Sequence, residues 1–430
     1  MKLAHLSDTH LGYEAYRSVS ASGENQRGVD IARAFVRCVD DIIEWDPPLV
    51  IHSGDLAEKP QVSIRLMLLA RNMLTKLASI RPDGTRRQVV IIAGNHDLSS
   101  NRKEACFLEL YRGIPGVHVV CDDYKVVKFD NIENCPEELL STHAHCLPHD
   151  TLKDMAIESR FGEVVPTPGF TNILVAHGVA GGSGLYKRVL GREYPIPTDV
   201  VMRDWEYGAL GHWHKQGPIS GGGGARCYYA GSSENMGFGD LRDNGEERGY
   251  LRVEVKRGNA PVVTPRNLPI RTMFRLPAID ASDKTPEEIT TALVSNLDAA
   301  RAEKKLAGSI VGQNIVGCQR EKWALVTTHT VRQSALESAM HYEITVVPVP
   351  RVAEDGVTAA PRVQTDVMTL LRERAGAVLQ KQEREGSLAV CETLVTKHMR
   401  TVAPEPDEEA AEKVAPDAAV TDADAEKASA

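Results

Sequence analysis

The stretch Val89-Val90-Ile91-Ile92-Ala93-Gly94-Asn95-His96-Asp97 decides the fold of this chain. Its first five residues are apolar and mostly β-branched, which predicts a buried strand. The glycine and the polar residues that follow predict a turn where this strand ends. An apolar run closed by a short polar motif recurs elsewhere in the first half of the chain.

Four further motifs follow apolar runs that read as strands. They are Asp8-Thr9-His10 after residues 3–7, Gly54-Asp55 after 49–53, Ala176-His177-Gly178 after 172–176, and Gly211-His212-Trp213-His214 after 208–210. Together the five motifs supply three hard oxygen ligands and four imidazoles, without a thiolate. This inventory matches a pair of borderline divalent cations such as manganese, iron or zinc. The combination predicts a two-metal hydrolase of phosphate esters, although each motif alone is a weak signal.

The spacing within the motifs predicts how their side chains converge. Strand side chains alternate with period two, so Asp8 and His10 are expected on one face, and the same holds for His212 and His214. A carboxylate has two oxygens, so Asp55 is the candidate to bridge two cations. His96 follows ligand Asn95 and is expected to act on the substrate, as an electrostatic stabiliser or general acid. Asp97 is a candidate partner that orients His96.

Length and composition set the frame for this prediction. A chain of 430 residues is too long for one core and is expected to hold two domains with extensions. The N-terminus enters a strand at once, which leaves no room for a signal sequence, and no stretch is apolar enough to span a membrane. A cytoplasmic protein is therefore expected. The eight cysteines are scattered and predict reduced, mainly buried thiols.

The net charge of −9 is unevenly distributed. Residues 401–430 contain nine Asp or Glu and two Lys, a net of −7, so the first 400 residues carry −9 − (−7) = −2. A nearly neutral folded part permits a local basic surface beside a metal site. The acidic tail has few large apolar residues and is predicted to be disordered.

The order of the elements predicts four segments. Residues 1–258 alternate strand and helix signals, which favours two stacked sheets flanked by helices. Residues 262–350 read as a small α/β domain, with a capping box at Thr285-Pro286-Glu287-Glu288 and strands near 272–276, 309–316, 324–328 and 343–347. Residues 363–400 read as amphipathic helices, for which docking to a partner is favoured over docking to their own domain. Residues 401–430 form the acidic tail.

The five motifs in this order resemble the calcineurin-like metallophosphoesterase superfamily. The resemblance implies a four-layer α-β-β-α sandwich. It also implies that one metal is held by Asp8, His10, Asp55 and His214, and the other by Asp55, Asn95, His177 and His212. His96 corresponds to the catalytic histidine of that superfamily.

Within the superfamily, the opening His5-Leu6-Ser7-Asp8-Thr9-His10-Leu11-Gly12-Tyr13 is similar to the SbcD-type DNA repair nuclease subunit. This resemblance implies a 3′ to 5′ double-strand exonuclease and single-strand or hairpin endonuclease that uses Mn²⁺, with Fe²⁺, Zn²⁺ and Mg²⁺ as alternatives. It implies DNA as substrate, an SMC-like ATPase of the SbcC type bound through the C-terminal helices, a homodimer within a heterotetramer, and a nucleoid-associated location. The alternative is a phosphodiesterase of nucleotides or another small phosphodiester.

Several residues are open to both a functional and a structural interpretation. Candidate DNA contacts are Tyr13, Arg17, Arg27, Lys187, Arg188 and Arg192, against a solvated loop for the last three. Residues 221–224, four glycines, are expected to be a hairpin tip. A group of histidines and cysteines is expected to be structural rather than an accessory zinc site: Cys135, His143, His145, Cys146 and His149. After Gly54-Asp55, related nucleases often place an aromatic and then a histidine or other polar group, whereas this chain has Leu56-Ala57-Glu58.

Overall fold

The computed structural model describes residues 1–99, 104–181, 193–219, 226–241 and 247–347. All of these residues belong to one compact unit, Met1–Val349. Several predicted features lie outside the described residues, namely Lys187, Arg188, Arg192, the tip at 221–224, the helices of 363–400 and the tail of 401–430. Among the described helices, none is long and apolar enough to cross a membrane.

The first sheet carries three of the five motifs. Its central strands run parallel, and two antiparallel strands extend one side, in the order β12-β11-β1-β2-β3-β4. The strands are β1 (Lys2–Leu6), β2 (Leu49–His52), β3 (Gln88–Ile92), β4 (Val117–Val120), β11 (Glu247–Glu254) and β12 (Val262–Pro269).

The second sheet carries the other two motifs and, like the first, has six strands, of which four are parallel. Four parallel strands are flanked by one antiparallel strand on each side, in the order β5-β6-β7-β8-β10-β9. The strands are β5 (Lys125–Lys128), β6 (Thr142–Leu147), β7 (Thr171–His177), β8 (Tyr207–Gly211), β9 (Gly217–Pro218) and β10 (Cys227–Tyr229).

The two sheets stack through alternate residues of their strands. Leu3 and Ile51 of the first sheet share a buried cluster with Val175 of the second. The intervening residues Ala4 and Val50 belong instead to a cluster with the helices α1 (Gln26–Trp45) and α2 (Ile64–Leu77). The outer face of the second sheet is covered by α3 (His149–Ile157) and the short Thr198–Val201 helix. The predicted four-layer α-β-β-α sandwich is thus confirmed.

Local sequence signals account for the ends of the main helices. The Asn25 side chain caps α1 by accepting hydrogen bonds from the amides of Arg27 and Gly28. The helix ends at Asp46, whose left-handed backbone (φ 52°) is typical of a helix stop. Ser63 caps α2 in the same way. Three short 3₁₀ helices, Phe107–Tyr111, Glu137–Leu139 and Arg160–Glu163, complete this part of the chain.

A third, all-parallel sheet forms the core of the small C-terminal part. It consists of β13 (Met273–Asp280), β14 (Ile310–Val316) and β15 (His341–Val346), packed against the helices Pro286–Ala302 and His329–Leu336. The capping box predicted at Thr285 is present: its hydroxyl accepts from the Glu288 amide, and the Glu288 carboxylate accepts from the Thr285 amide.

Two predictions about this part were wrong. The strand Val262–Pro269, assigned from sequence to the small domain of residues 262–350, pairs with β11 in the first sheet. Residues 324–328 do not form a strand, because they continue the turn that follows the Arg320–Trp323 helix. The Leu325 amide bonds to the Lys322 carbonyl at 3.1 Å, and the Val326 amide to the Trp323 carbonyl at 3.1 Å.

Candidate metal centre

All five motifs meet where the parallel strands of both sheets end. Asp8, Asp55 and Asn95 follow β1, β2 and β3, which are neighbours in the first sheet. His177 ends β7, and His212 follows the adjacent β8. Carboxyl ends of parallel strands lie at the same edge of a sheet, which is the common place for a ligand site in α/β proteins.

Backbone hydrogen bonds hold the motif loops together beyond the strands. The Asp8 amide donates to the Gly54 carbonyl at 3.0 Å, and the His10 amide donates to the Asp55 carbonyl at 3.1 Å. The two sheets are also joined here, since the His212 amide donates to Asp8 Oδ1 at 3.0 Å. The pairing of β1 with β2 therefore continues into the loops, and this limits how far their side chains can move apart.

The period-two argument for the convergence of the ligands was wrong. The strands end at Leu6 and Gly211, before the first ligand of each motif. Instead, four ligand candidates have left-handed backbone angles: Asp8 (φ 50°), His10 (φ 51°), Asp55 (φ 55°) and His212 (φ 95°). Such conformations cost roughly 1–3 kcal/mol each for residues other than glycine and concentrate at functional sites. Strained turns, rather than strand alternation, aim these side chains at one another.

The first half of the cluster consists of Asp8, His10 and His214. One ligand atom from each lies within 4.8 Å of the others. The Nε2 atoms of His10 and His214 are 3.2 Å apart, and the Asp55 carboxylate approaches His10 Nε2 at 3.8 Å. One carboxylate and two imidazoles therefore converge on one side of Asp55.

The second half of the cluster consists of Asn95, His177 and His212. The Asn95 side-chain oxygen lies 3.1 Å from His177 Nε2 and 3.0 Å from His212 Nδ1. The same Asp55 oxygen that approaches His10 lies 3.3 Å from His177 Nε2. Asp55 stands between the two halves, as expected of a bridging ligand. The donor set of both halves fits two divalent cations.

Charge inside the cluster is balanced by neighbours rather than by solvent. Burial would raise the pKa of the Asp55 carboxyl, but the imidazoles of His177 and His10 hold this pKa well below its usual range. Burial would lower the pKa of His177, but the Asp55 and Asp8 carboxylates raise this pKa to about 9. Negative carboxylates thus gather positive charge at the place where cations would bind.

Two motif glycines are required by close approach. A Cβ atom on Gly94 would overlap the Asp55 carboxylate, and one on Gly54 would overlap the His177 ring. Gly54 also has a φ of +100°, which side-chain-bearing residues rarely adopt. The glycines of the Gly-Asp and Gly-Asn-His motifs therefore make room for the ligands of neighbouring strands.

In the first half, a carboxylate lies next to the ring nitrogen of each imidazole that faces away from the cluster. Glu58 Oε2 lies 2.9 Å from His10 Nδ1, and Asp240 Oδ2 lies 3.1 Å from His214 Nδ1. Sequence reasoning missed both as site residues. Glu58 had a weak signal, because it belongs to the run Leu56-Ala57-Glu58, which departs from the pattern that related nucleases often have after Gly-Asp. Asp240 had none, since it is 26 residues from His214 and belongs to no motif.

His96 lies at the rim of the cluster, and its backbone amide and one ring nitrogen are hydrogen-bonded. Its amide donates to Asp55 Oδ1 at 2.8 Å, and its ring Nδ1 contacts the Glu58 carbonyl at 2.9 Å. The His96 side chain is 38% exposed, whereas those of His10 and His177 are almost fully buried. Because Nδ1 is engaged, Nε2 is the nitrogen available to a substrate.

The predicted pairing of Asp97 with His96 was wrong. Asp97 is fully buried and accepts hydrogen bonds from the backbone amides of Gly94 and Ala57, each at 2.9 Å. Burial and the neighbouring Asp55 carboxylate raise the pKa of Asp97 to about 6. Asp97 joins the Gly-Asp loop to the Gly-Asn-His loop, and the backbone of Glu58 orients His96 instead.

The group of histidines and cysteines around residue 143 separates into two parts. His145 bonds to Tyr124 at 2.7 Å and to Asn172 at 3.0 Å, and His143 stacks on Phe170 with ring centroids 3.9 Å apart. These contacts are structural. Cys135 and Cys146 are free thiols. His149 lies apart from these residues, with its ring beside those of His177 and His212 in the cluster.

Two candidate DNA contacts have internal roles. The Tyr13 hydroxyl donates to the Met236 carbonyl at 2.7 Å, and Arg27 is fully buried and pairs with Asp30 at 3.2 Å. The interpretation of Arg27 as a DNA contact was wrong for that reason. Arg17 is exposed.

Comparison with known proteins identifies the class. The family model of the calcineurin-like phosphoesterases matches residues 1–216. The chain belongs to this family, and the predicted enzyme class, a metal-dependent phosphoester hydrolase, is confirmed at that level. Divalent metal ions are implied by the fold and by the donor clusters.

The curated relatives include proteins named DNA double-strand break repair protein Mre11. One from Methanococcus maripaludis is 34% identical over 27% of this chain and 28% of its own length. Those from Sulfolobus acidocaldarius and Thermoplasma acidophilum are 23% and 27% identical, over 69% and 73% of this chain and 72% and 76% of their lengths. For the first of these, the chain matches about a quarter of the relative. The predicted resemblance to the SbcD-type DNA repair nuclease subunit is confirmed as a similarity to these DNA double-strand break repair proteins.

Proposed function

We propose that the chain is the nuclease subunit of an SbcCD-type DNA end-processing complex, acting as a 3′ to 5′ exonuclease and a single-strand or hairpin endonuclease. One observation carries the choice of DNA over a small phosphodiester. The alignment with the Thermoplasma acidophilum Mre11 protein extends over 331 residues, well beyond the 216 residues of the phosphoesterase domain. The similarity therefore includes the small domain, which contributes no ligand to the cluster.

The two halves of the cluster are the proposed metal ligands. Mixed carboxylate, amide and imidazole donors suit divalent cations of the first transition row. The resemblance to the SbcD-type nucleases favours Mn²⁺ among them, with Fe²⁺, Zn²⁺ and Mg²⁺ as alternatives. When bound, a pair of divalent cations supplies an activated water near neutral pH and neutralises phosphate charge. The buried Asp55 and His177 hold the two halves at a fixed separation, and the strained turns keep their side chains aimed inward.

His96 is the proposed catalytic residue. With Nδ1 donating to the Glu58 carbonyl, the imidazolium form presents an N–H at Nε2 to the phosphate or to the leaving oxygen. Its partly exposed ring next to two buried ligands places this donor at the mouth of the cluster. This position suits electrostatic stabilisation or proton donation to the leaving group.

The proposed assembly is a homodimer that binds an SMC-like ATPase of the SbcC type through residues 363–400, in the cytoplasm at the nucleoid. The chain has no phosphate-binding loop of its own in its sequence, so ATP dependence requires a partner. An apolar patch supports the homodimer. Ile64, Leu68 and Leu110 are 76%, 54% and 55% exposed, and Arg71 bonds to the Leu110 carbonyl at 3.3 Å, which joins α2 to the neighbouring 3₁₀ helix.

The proposal is tested with His96→Ala in a DNA degradation assay. Purified protein, Mn²⁺, the ATPase partner and ATP are incubated with linear duplex and hairpin DNA. We expect the variant to bind two metal ions like the wild type and to lose about 10²–10⁴-fold in turnover, since the group lost acts on the substrate. Metal content is measured in parallel by elemental analysis.

Replacement of the exposed His329 by alanine is the matched control and should change neither quantity. Loss of metal in His96→Ala would contradict its assignment as a catalytic residue. Wild-type protein that hydrolyses a small aryl phosphodiester but leaves both DNA substrates intact would refute the nuclease and favour the small-phosphodiester enzyme.

A further inference from the structure

His149 lies outside the five motifs but inside the metal centre. It is the first residue of α3, and its backbone amide donates to the Ala93 carbonyl at 3.1 Å. Ala93 directly precedes the Gly94-Asn95 motif, so this bond fixes the start of α3 to the loop that carries ligand Asn95. The position of the His149 ring is thus set by the same loop as the second half of the cluster.

The His149 ring completes a group of three imidazoles. One of its ring nitrogens lies within 4.8 Å of a ring nitrogen of His177 and of His212. The His149 and His212 rings stack at 5.8 Å between centroids, and the His149 and His177 rings meet edge to face at 5.9 Å. Three imidazoles at such separations form a group that can hold one cation.

The Nδ1 atom of His149 is buried and has no hydrogen-bond partner. A buried polar atom without a partner is costly, and in native structures it often marks a missing ion or water. An unpartnered nitrogen alone does not mark a metal site, since both ring nitrogens of the structural His143 also lack a hydrogen-bond partner, whereas those of His145 are bonded to Tyr124 and Asn172. At His149 the unpartnered nitrogen coincides with two neighbouring imidazoles of the cluster. Among the described residues, none forms a hydrogen bond with His149 Nδ1.

We propose that His149 is a further protein ligand of the cation held by the second half of the cluster. The inference rests on the proposed two-metal function and deepens it. The second half then offers three imidazoles with the Asn95 and Asp55 oxygens. Nitrogen-rich sites favour borderline cations such as Mn²⁺, Fe²⁺ and Zn²⁺ over Mg²⁺, which prefers oxygen ligands. His149 thereby makes the second site selective against Mg²⁺.

The test is metal binding by His149→Ala, without DNA or partner. Metal-free full-length protein is equilibrated with increasing MnCl₂, bound manganese is counted by elemental analysis, and spin coupling between paired Mn²⁺ ions is followed by electron paramagnetic resonance. We expect the variant to bind one ion like the wild type and the second at least about tenfold more weakly, because removing even an outer-sphere partner of a ligand has an effect of that size. The coupled signal should be lost with the second ion.

Two further variants make the result decisive. His149→Gln keeps much of the side-chain volume, and its affinity for the second ion should lie between those of the wild type and His149→Ala. If His149→Ala does not fold, His149→Gln provides the test. His118→Ala is the control, because His118 is a partly buried histidine bonded to Gln88 on the edge strand β4. It should bind both ions normally.

Other results of the metal titration would contradict the inference or the proposed function. Normal binding of both ions by the folded His149 variants would overturn the inference. The same titration with MgCl₂ in place of MnCl₂ tests the selectivity, and equal weakening of Mn²⁺ and Mg²⁺ binding would overturn it. Wild-type protein that binds fewer than two ions would refute the proposed two-metal function itself, which separates the two failures.

Discussion

The two halves of the metal centre are supported from behind in different ways. In the first half, the outer nitrogens of His10 and His214 meet the carboxylates of Glu58 and Asp240, at 2.9 and 3.1 Å. In the second half, the outer nitrogen of His177 meets the backbone carbonyl of Ser53 at 2.8 Å, and His212 Nε2 meets the Glu193 carboxylate at 3.1 Å. Both imidazoles of the first half are therefore backed by negative charge, whereas one of the two in the second half, His177, is backed by a neutral group.

This difference teaches that the two sites are unequal before any substrate binds. A carboxylate behind a ligating histidine raises the basicity of the imidazole and fixes its tautomer and orientation. We therefore expect the first half to bind its cation more tightly. The second half obtains additional binding from a further imidazole, if His149 serves as proposed. Asp55 couples the halves, since one of its oxygens approaches His10 and His177.

The largest effect is expected from the residue that the halves share. Asp55→Asn replaces the bridging carboxylate by a neutral amide of the same shape. We expect both sites to weaken, each by more than about 100-fold, because losing a direct ligand exceeds the 10–100-fold effect of losing an outer partner. Bound Mn²⁺ is measured by equilibrium dialysis and elemental analysis.

Asp41→Asn provides the control for Asp55→Asn. Asp41 is another mostly buried carboxylate, but it joins α1 to Arg266 and to the Tyr250 hydroxyl, away from the motifs. This variant should bind both ions normally. If Asp55→Asn weakened the binding of only one ion, Asp55 would not be shared by the two halves, and its role as the bridging ligand would be contradicted.

An effect confined to the first half is expected from its supporting carboxylates. Glu58→Gln and Asp240→Asn keep a hydrogen-bond acceptor for His10 and His214 but remove the negative charge. Each should weaken the first site by roughly 10–100-fold and leave the second unchanged. Stepwise titration with Mn²⁺, followed by calorimetry, separates the two sites. The opposite pattern, with the second site weakened and the first unchanged, would show that the carboxylates do not set the inequality.

The sequence predicted which side chains come together at the carboxyl ends of the strands, because the signals are local. Each motif puts metal-binding side chains next to a strand end, and strands of a layered fold end together. The stacked sheets followed from the same pattern of apolar runs. The glycines of the motifs also carried information, since Gly54 and Gly94 leave room for neighbouring ligands. The order of the motifs was enough for these features.

Other features depend on contacts between distant segments and left no local signal. Asp240 reaches His214 only because the chain returns to the centre, and His149 reaches it because its amide bonds to Ala93. The left-handed turns at Asp8 and His10 could not be read from residue types, because aspartate and histidine adopt that conformation more often than most side-chain-bearing residues but still only in a minority of cases. The strand Val262–Pro269 was misassigned since its partner, β11, precedes the turn taken as a boundary.

The smallest effect is expected from the neutral group behind His177, the Ser53 carbonyl. It is an effect on the free energy of unfolding, and it appears only at acidic pH. Ser53, whose carbonyl meets His177, also bonds through its hydroxyl to His5 Nε2 at 2.9 Å, and His5 Nδ1 bonds to the Tyr207 hydroxyl at 2.8 Å. Burial, together with the neighbouring His52, lowers the pKa of His5 to about 3. The His5 imidazole is therefore neutral in the folded protein between pH 5 and 7.5.

This lowered pKa fixes the sign of a pH effect on stability. Above pH 6.5, His5 is neutral in both the folded and the unfolded chain and contributes no pH dependence. Below pH 6.5, the unfolded chain binds a proton at His5 and the folded chain does not, so the free energy of unfolding falls by about 2 kcal/mol by pH 5. His5→Gln should remove that part of the fall between pH 7.5 and 5, measured by urea unfolding with EDTA present. His329→Gln, at an exposed histidine, should fall as the wild type does. A fall in His5→Gln as large as in the wild type would mean that His5 is protonated in the folded chain, and the support behind His177 would then not be neutral.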